Sequence, residues 1–199
     1  MRNYHLKLDK RMFDFPHFYE EVANNLPDGA VIAEVGVATG ASAIFLAEQL
    51  LNQGKIFTFY LIDNLAYGGD MQLRTLLKNI CLADLGHLVE VVPVSSVEGA
   101  CRFPDRHFDF VFVDASHRIE WTKADILLWM TKVKVGGILA GHDYNRKEGI
   151  EVKMAVDTMF PTTKLVGEER RRDFEVIQTQ QGLNVWKVIK TEHLRMRVY

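Results

Sequence analysis

Short apolar runs rich in β-branched and aromatic residues alternate along this chain with segments of helical period, and that alternation narrows the possible folds more than any other feature. The runs cover residues 30–35, 56–62, 88–94, 108–113 and 137–140, each bounded by turn residues. Runs this short and this continuously apolar read as strands buried on both faces. Between them, 42–51 sets Ile44, Ala47, Leu50 and Leu51 along one helical face, and 70–85 does the same with Leu73, Leu76, Leu77 and Ile80. A third helix is expected over 119–133 and a fourth over 149–160, stopped by Pro161. Asp70 is placed to cap a helix start, and Gly54 and Gly86 to end helices. Strands alternating with helices imply right-handed crossovers, hence an α/β fold: a Rossmann-like, doubly wound, mainly parallel sheet with helices on both faces. The runs 174–179 and 183–189 predict an antiparallel hairpin at the C-terminal edge. The 199 residues suit one domain, with 1–28 as an N-terminal helical or lid segment, 29–160 as the core and 161–199 as edge strands.

Charge narrows the partners. Lys and Arg total 24 against 26 Asp and Glu, a formal balance of −2, which supplies no general field for nucleic acid or an acidic membrane. A small-molecule acceptor is the expected partner. Cys81 and Cys101 share no metal-ligand spacing and are expected to be buried free thiols. The N-terminal stretch lacks the apolar centre of a secretory signal and no run is long enough to span a bilayer, so a cytoplasmic location is expected. Residues 168–173, EERRRD, read as a solvated loop, or as arginines that grip an anionic substrate. Tyr4, Phe13, Phe15, Phe18 and Tyr19 make an aromatic N-terminal segment, expected as core or as the contact of a homo-oligomer, with a lid over the pocket as the alternative. Trp121 and Trp129, eight apart on the third expected helix, are expected in the core.

The stretch AVIAEVGVATGASAIFLAEQL runs a buried strand into glycines and then a helix, which places the turn at the carboxyl edge of a parallel sheet, where open α/β folds bind ligands. Gly36 and Gly40 allow unusual backbone angles and close approach of a ligand, and the helix start behind them offers unpaired N–H groups to an anion. A dinucleotide site expects G-x-G-x-x-G, whereas Ala38 stands where another glycine would, so that fingerprint is incomplete. A nucleotide-cofactor oxidoreductase is thereby disfavoured. The pattern Glu34-x-Gly36-x-x-x-Gly40 resembles motif I of the class I S-adenosylmethionine-dependent methyltransferases, and the next strand ends in Asp63. The resemblance implies S-adenosylmethionine as cofactor, held by Glu34, Gly36, Val37, Ala38, Gly40, Ser42, Asp63 and Asn64, with Asp63 on the ribose hydroxyls and Ser95, Ser96 and Asp114 nearby. An ionised carboxylate suits that task on its own chemistry, since it accepts both hydroxyl hydrogens of a vicinal diol.

The fourth strand ends in VDASH and the fifth in AGHDY, so Asp114, His117, His142, Asp143 and Tyr144 converge on one rim. Apolar strands that stop abruptly at Asp and His are hard to explain by packing, because unpaired buried charge is costly. VDASH, a helix containing Asp125 and GGILAGHDY together resemble the methyltransferases grouped with cephalosporin hydroxylase-like and macrolide-sugar O-methyltransferases, over roughly residues 12 to 160. FDFPHFYEEVANNLPDG is similar to the helix and turn that precede motif I in such proteins. The resemblance implies methyl transfer to a hydroxyl of a sugar or other polyhydroxylated metabolite. It also implies a divalent cation such as Mg²⁺ on Asp114 and Asp143, with His142 at the position of a further ligand that in relatives is usually an oxygen donor. The imidazole would equally permit Mn²⁺, Zn²⁺ or no metal. His117 is the candidate general base, and packing on the adenine or capping the next helix is the alternative. A binding module that keeps the fold without turnover remains the rival outside catalysis.

Overall fold

The computed structural model describes residues 1–8, 13–144, 150–160, 174–179, 182–194 and 196, with 182 and 183 as backbone only. After a short 3-10 turn at Tyr4–Lys7 come α1 (Pro16–Asn25), β1 (Ala30–Val35), α2 (Ala41–Asn52), β2 (Phe57–Ile62), α3 (Gly69–Leu82) and β3 (Val89–Val92). Then follow α4 (Ser96–Arg102), β4 (Phe108–Val113), α5 (Ile119–Lys132), β5 (Val133–Gly141), α6 (Ile150–Met159), β6 (Phe174–Thr179) and β7 (Gly182–Ile189). The seven strands form one sheet in the order β3-β2-β1-β4-β5-β7-β6. Strands β1 to β5 pair in parallel, and β7 runs antiparallel to both β5 and β6. This is the Rossmann-like arrangement expected, with the antiparallel hairpin on its edge.

Alternation within β4 shows how the sheet separates two cores. Phe110 and Phe112 join Phe18, Tyr19, Ile44, Phe45 and Leu50 from α1 and α2. Val111 and Val113 join Ile126, Trp129, Val152 and Val156 from α5 and α6. Successive strand residues face opposite layers, so both faces must be apolar, and each fully buried aromatic or aliphatic side chain contributes about 1.5–3 kcal/mol.

Several expectations need correction. Asp70 lies in the first turn of α3, and Gly68 takes the cap position. Strand β3 stops at Val92 because Val94 folds back to Val92 in a turn that leads into α4, a helix too short for its period to stand out in the sequence. Cys81 and Cys101 are free but exposed, on the outer sides of α3 and α4. Trp129 is fully buried but Trp121 is 54% exposed, since eight residues at about 100° each leave the two side chains roughly 80° apart. The N-terminal aromatics Phe13, Phe15, Phe18 and Tyr19 are core, packed in a chain of ring contacts that reaches Phe110 and Phe112. The EERRRD stretch lies outside the described residues.

Connections from β1 run outward through β2 and β3, and those from β4 run the other way to β5, so the switch point falls between β1 and β4. Gly36 ends β1 at φ +84°, and a Cβ there would stand 2.1 Å from the Asp114 carbonyl oxygen at the end of β4. Only glycine allows the two strand ends to approach this closely. Gly36→Ala is therefore expected to destabilise the fold by ~3 kcal/mol or more, read as a lowered midpoint in urea unfolding; an unchanged midpoint would refute the close approach.

Candidate active site

The turn after β1 is held from two sides by carboxyl groups. Asp63, at the end of β2, accepts the N–H groups of Val37 at 2.9 Å and Ala38 at 3.2 Å with one oxygen, and that of Leu65 at 2.6 Å with the other. Ala38 at φ +45° and Gly40 at φ +86° curl the turn into α2, whose first turn has no side-chain cap. The open N–H groups of a helix start are suited to an anionic ligand group. Gly36, Val37, Ala38, Gly40 and Asp63 thus meet at one place, as the sequence implied.

Glu34 lies beneath that turn. It is 1% exposed, and its two oxygens accept hydroxyls from Ser42 at 2.5 Å and Tyr19 at 2.9 Å. Burial pushes its carboxyl up to about 8, against the pull of Ser42 and Tyr19. At neutral pH it is a protonated strut between α1, β1 and α2. Asn64 is exposed and accepts the N–H of Ala66 at 3.0 Å, which closes its own loop. Ser95 caps α4 in a reciprocal capping box with Glu98. The Ser96 hydroxyl donates to Asp125 at 2.5 Å and accepts the Trp129 indole N–H at 2.8 Å, and burial raises the Asp125 carboxyl to about 6. Glu34, Ser42 and Ser96, implied by the resemblance as cofactor contacts, are therefore engaged by protein groups around the glycine turn and the neighbouring rim.

At the ends of β4 and β5, Asp114, His117, His142 and Asp143 come together. His117 Nε2 lies 2.8 Å from Asp143 Oδ2 and 3.8 Å from Asp114 Oδ1. His142 Nδ1 lies 3.3 Å from Asp143 Oδ1 and 3.7 Å from Asp114 Oδ2. The carboxylates of Asp114 and Asp143 raise His117 to about 10. Burial opposes charge on His142, but its bonds to Asp14 and Asp143 and the neighbouring Asp114 raise it to about 10 as well. Burial would raise Asp143, yet His117 and His142 hold it well below the usual carboxylate range. Asp143 keeps φ at +59°, a left-handed angle unusual for a residue with a side chain and one that concentrates at functional sites. Ligand atoms from Asp114, His117 and Asp143 all lie within 4.8 Å of one another, the one such group outlined among the described residues. His142 is outside that group: its Nε2 turns the other way, 2.7 Å from Asp14.

Sequence reasoning missed Asp14, Thr179 and Asn184, which lie behind His142. Asp14 is 5% exposed, accepts the Thr179 hydroxyl at 2.8 Å, and stands next to Phe15, whose ring packs 4.9 Å from that of His142. A lone carboxylate inside the aromatic run FDF was the available signal, since such a group needs a buried partner. Tyr19, expected as core, subunit contact or lid, is buried and also donates its hydroxyl to Glu34.

A family model described as a methyltransferase domain matches residues 33–144, more than half of the chain. The fold is similar to that of a cofactor-bound protein from MTB, at 18% identity over 89% of this chain and 80% of that one, with a TM-score of 0.66. An O-methyltransferase from Bacillus cereus in complex with SAH is 20% identical over 88% of this chain and 80% of its own, TM-score 0.62. The O-methyltransferase NovP is 19% identical over 89% and 79% of the two chains, TM-score 0.63. None of the curated proteins compared matches the chain.

The buried Glu34 gives a signed expectation. Its folded value near 8 exceeds the ordinary 4.5, so the stability linked to its proton is present below pH 4.5 and lost as pH rises through about 8. Thermal melting of wild type against Glu34→Gln should show wild type losing ground across that window, and parallel curves would contradict the buried neutral carboxyl.

Proposed function

The chain belongs to the methyltransferase-domain family and has the class I S-adenosylmethionine-dependent fold, and from that premise we propose that it methylates a hydroxyl of a small polyhydroxylated acceptor, such as a sugar. The observation that carries this reading is the meeting of two groups on one rim: the glycine turn tied to Asp63, and the Asp114, His117 and Asp143 cluster. The switch between β1 and β4 sets them side by side.

In this reading the N–H groups at the start of α2 receive the carboxylate of the cofactor's methionine part, Asp63 accepts the ribose diol, and the β3–α4 turn with Ser95 and Ser96 flanks the adenine. The acceptor hydroxyl lies against Asp114 and Asp143. Its oxygen forms the new bond to the methyl carbon as the carbon–sulfur bond breaks, the electron pair goes to sulfur, and the hydroxyl proton passes to His117 once the imidazole has released its own. The protein supplies alignment and a place for the proton.

A hard divalent cation fits the donor set. Asp114 and Asp143 would hold it through oxygen, and it would supply acidity to the acceptor hydroxyl and loosen the carboxylates' grip on the His117 proton. Asp143 then orients the acceptor, and His117, 39% exposed at its side chain, has room to turn toward it.

Calorimetry tests the cofactor half: wild type should bind S-adenosylmethionine and not NADH, and Asp63→Ala should weaken binding ~10–100-fold or more, since it removes the diol acceptor together with the N–H bonds that hold the glycine turn. Transfer of a labelled methyl group to a panel of sugars and diols, with and without a chelator, tests the acceptor half. His117→Ala should lower kcat by ~10²–10⁴ while leaving cofactor affinity intact. NADH binding, or no transfer to any hydroxyl acceptor, would overturn the reading.

A further inference from the structure

We propose that Asp14, brought from the N-terminal segment, is a positioning residue that acts through His142 to fix Asp143 on the cation-binding face of the rim. The inference rests on the methyltransferase reading and its divalent cation. Asp14 lies 129 positions before Asp143 in the chain, on a segment that sequence analysis assigned to core, subunit contact or lid.

The geometry is a continuous line of polar contacts running inward from the rim. Asp143 Oδ1 faces His142 Nδ1 at 3.3 Å, and His142 Nε2 faces Asp14 Oδ1 at 2.7 Å. The other oxygen of Asp14 accepts the Thr179 hydroxyl at 2.8 Å, and the Asn184 amide also hydrogen-bonds to Asp14. Asp14, His142, Asp143 and Asn184 are each at most 8% exposed, so water does not compete for these contacts. A carboxylate is acceptor-only, so Nε2 must carry a proton to meet Asp14 and Nδ1 must carry one to meet Asp143, and the ring is held between the two carboxylates. Nδ1 is then the atom turned toward Asp143 and Asp114. The Phe15 ring beside His142 limits its rotation, and Asp143 needs such support because its backbone sits in the left-handed region. Partners one step removed from metal-binding side chains commonly set ligand orientation and affinity in this way.

The test uses the full chain, Mn²⁺ as the probe and S-adenosylhomocysteine as the cofactor product. Asp14→Asn keeps the volume but presents either an oxygen or an amide N–H to Nε2, so the ring is no longer held in one sense. Its Mn²⁺ affinity by calorimetry should fall ~10–100-fold, with S-adenosylhomocysteine affinity unchanged. Thr179→Val removes one donor from the same carboxylate and should give a smaller loss of Mn²⁺ affinity in the same sense, which keeps the test open should Asp14→Asn fail to fold. Equal Mn²⁺ affinity in wild type and variants would overturn the proposal. So would parallel loss of Mn²⁺ and S-adenosylhomocysteine with a lowered Tm, which marks a packing role alone. Wild type that binds S-adenosylhomocysteine but takes up no Mn²⁺ would also overturn it while leaving the methyltransferase reading intact, whereas failure to bind S-adenosylhomocysteine would strike that reading itself.

Discussion

The close passage of the Asp114 carbonyl over Gly36 is the constraint from which the rest of the rim follows. A Cβ at position 36 would sit 2.1 Å from that oxygen, so the end of β1 can lie against the end of β4 only because there is none. The Gly36 N–H is spent on the Ile62 carbonyl at 2.8 Å, and the Asp114 N–H on the Val35 carbonyl at 2.7 Å. Strands β2, β1 and β4 are thereby drawn to a common edge. Asp63 and Asp114 reach that edge on either side of the glycine turn, and the proposed cofactor and acceptor positions become neighbours.

Polar groups buried beneath the rim keep it in place. Glu34 joins Tyr19 of α1 to Ser42 of α2, and Asp14 joins the N-terminal segment to His142 and, through Thr179, to the C-terminal hairpin. Such groups cost free energy unless every one finds a partner, and removing one partner leaves the full desolvation penalty of the other. Their satisfied geometry therefore locks α1, the central strands and β6 into one arrangement. Ring contacts from Phe15 and Tyr19 to Phe112 fill the space between these polar links.

Much of this was legible in the sequence, for reasons that differ by residue. The strands 30–35 and 108–113 match to the residue because their apolar runs stop at glycine or aspartate and burial on both faces leaves no ambiguity of period, and 174–179, a half-exposed edge strand, matches as well. The glycine turn was legible from its place between a buried strand and a helix, and the carboxylates at the strand ends because unpaired buried charge has no packing role. The local period could not reveal α4, which spans only two turns, or the exposure of Cys81 and Cys101, whose neighbours Ile80 and Ala100 face inward while they do not. Trp121 misled because a spacing of eight drifts off a helical face. Asp14 and its partners were invisible for a deeper reason: His142 and Asn184 stand at 128 and 170 positions from it, and only the folded chain brings them together.

The most direct measurement is a crystal structure of the chain with S-adenosylhomocysteine bound. The account predicts the ribose diol on Asp63, the amino-acid carboxylate at the start of α2, and the sulfur facing Asp114, His117 and Asp143. Cofactor bound away from the β1–β4 switch point, or with its sulfur turned from that cluster, would contradict it.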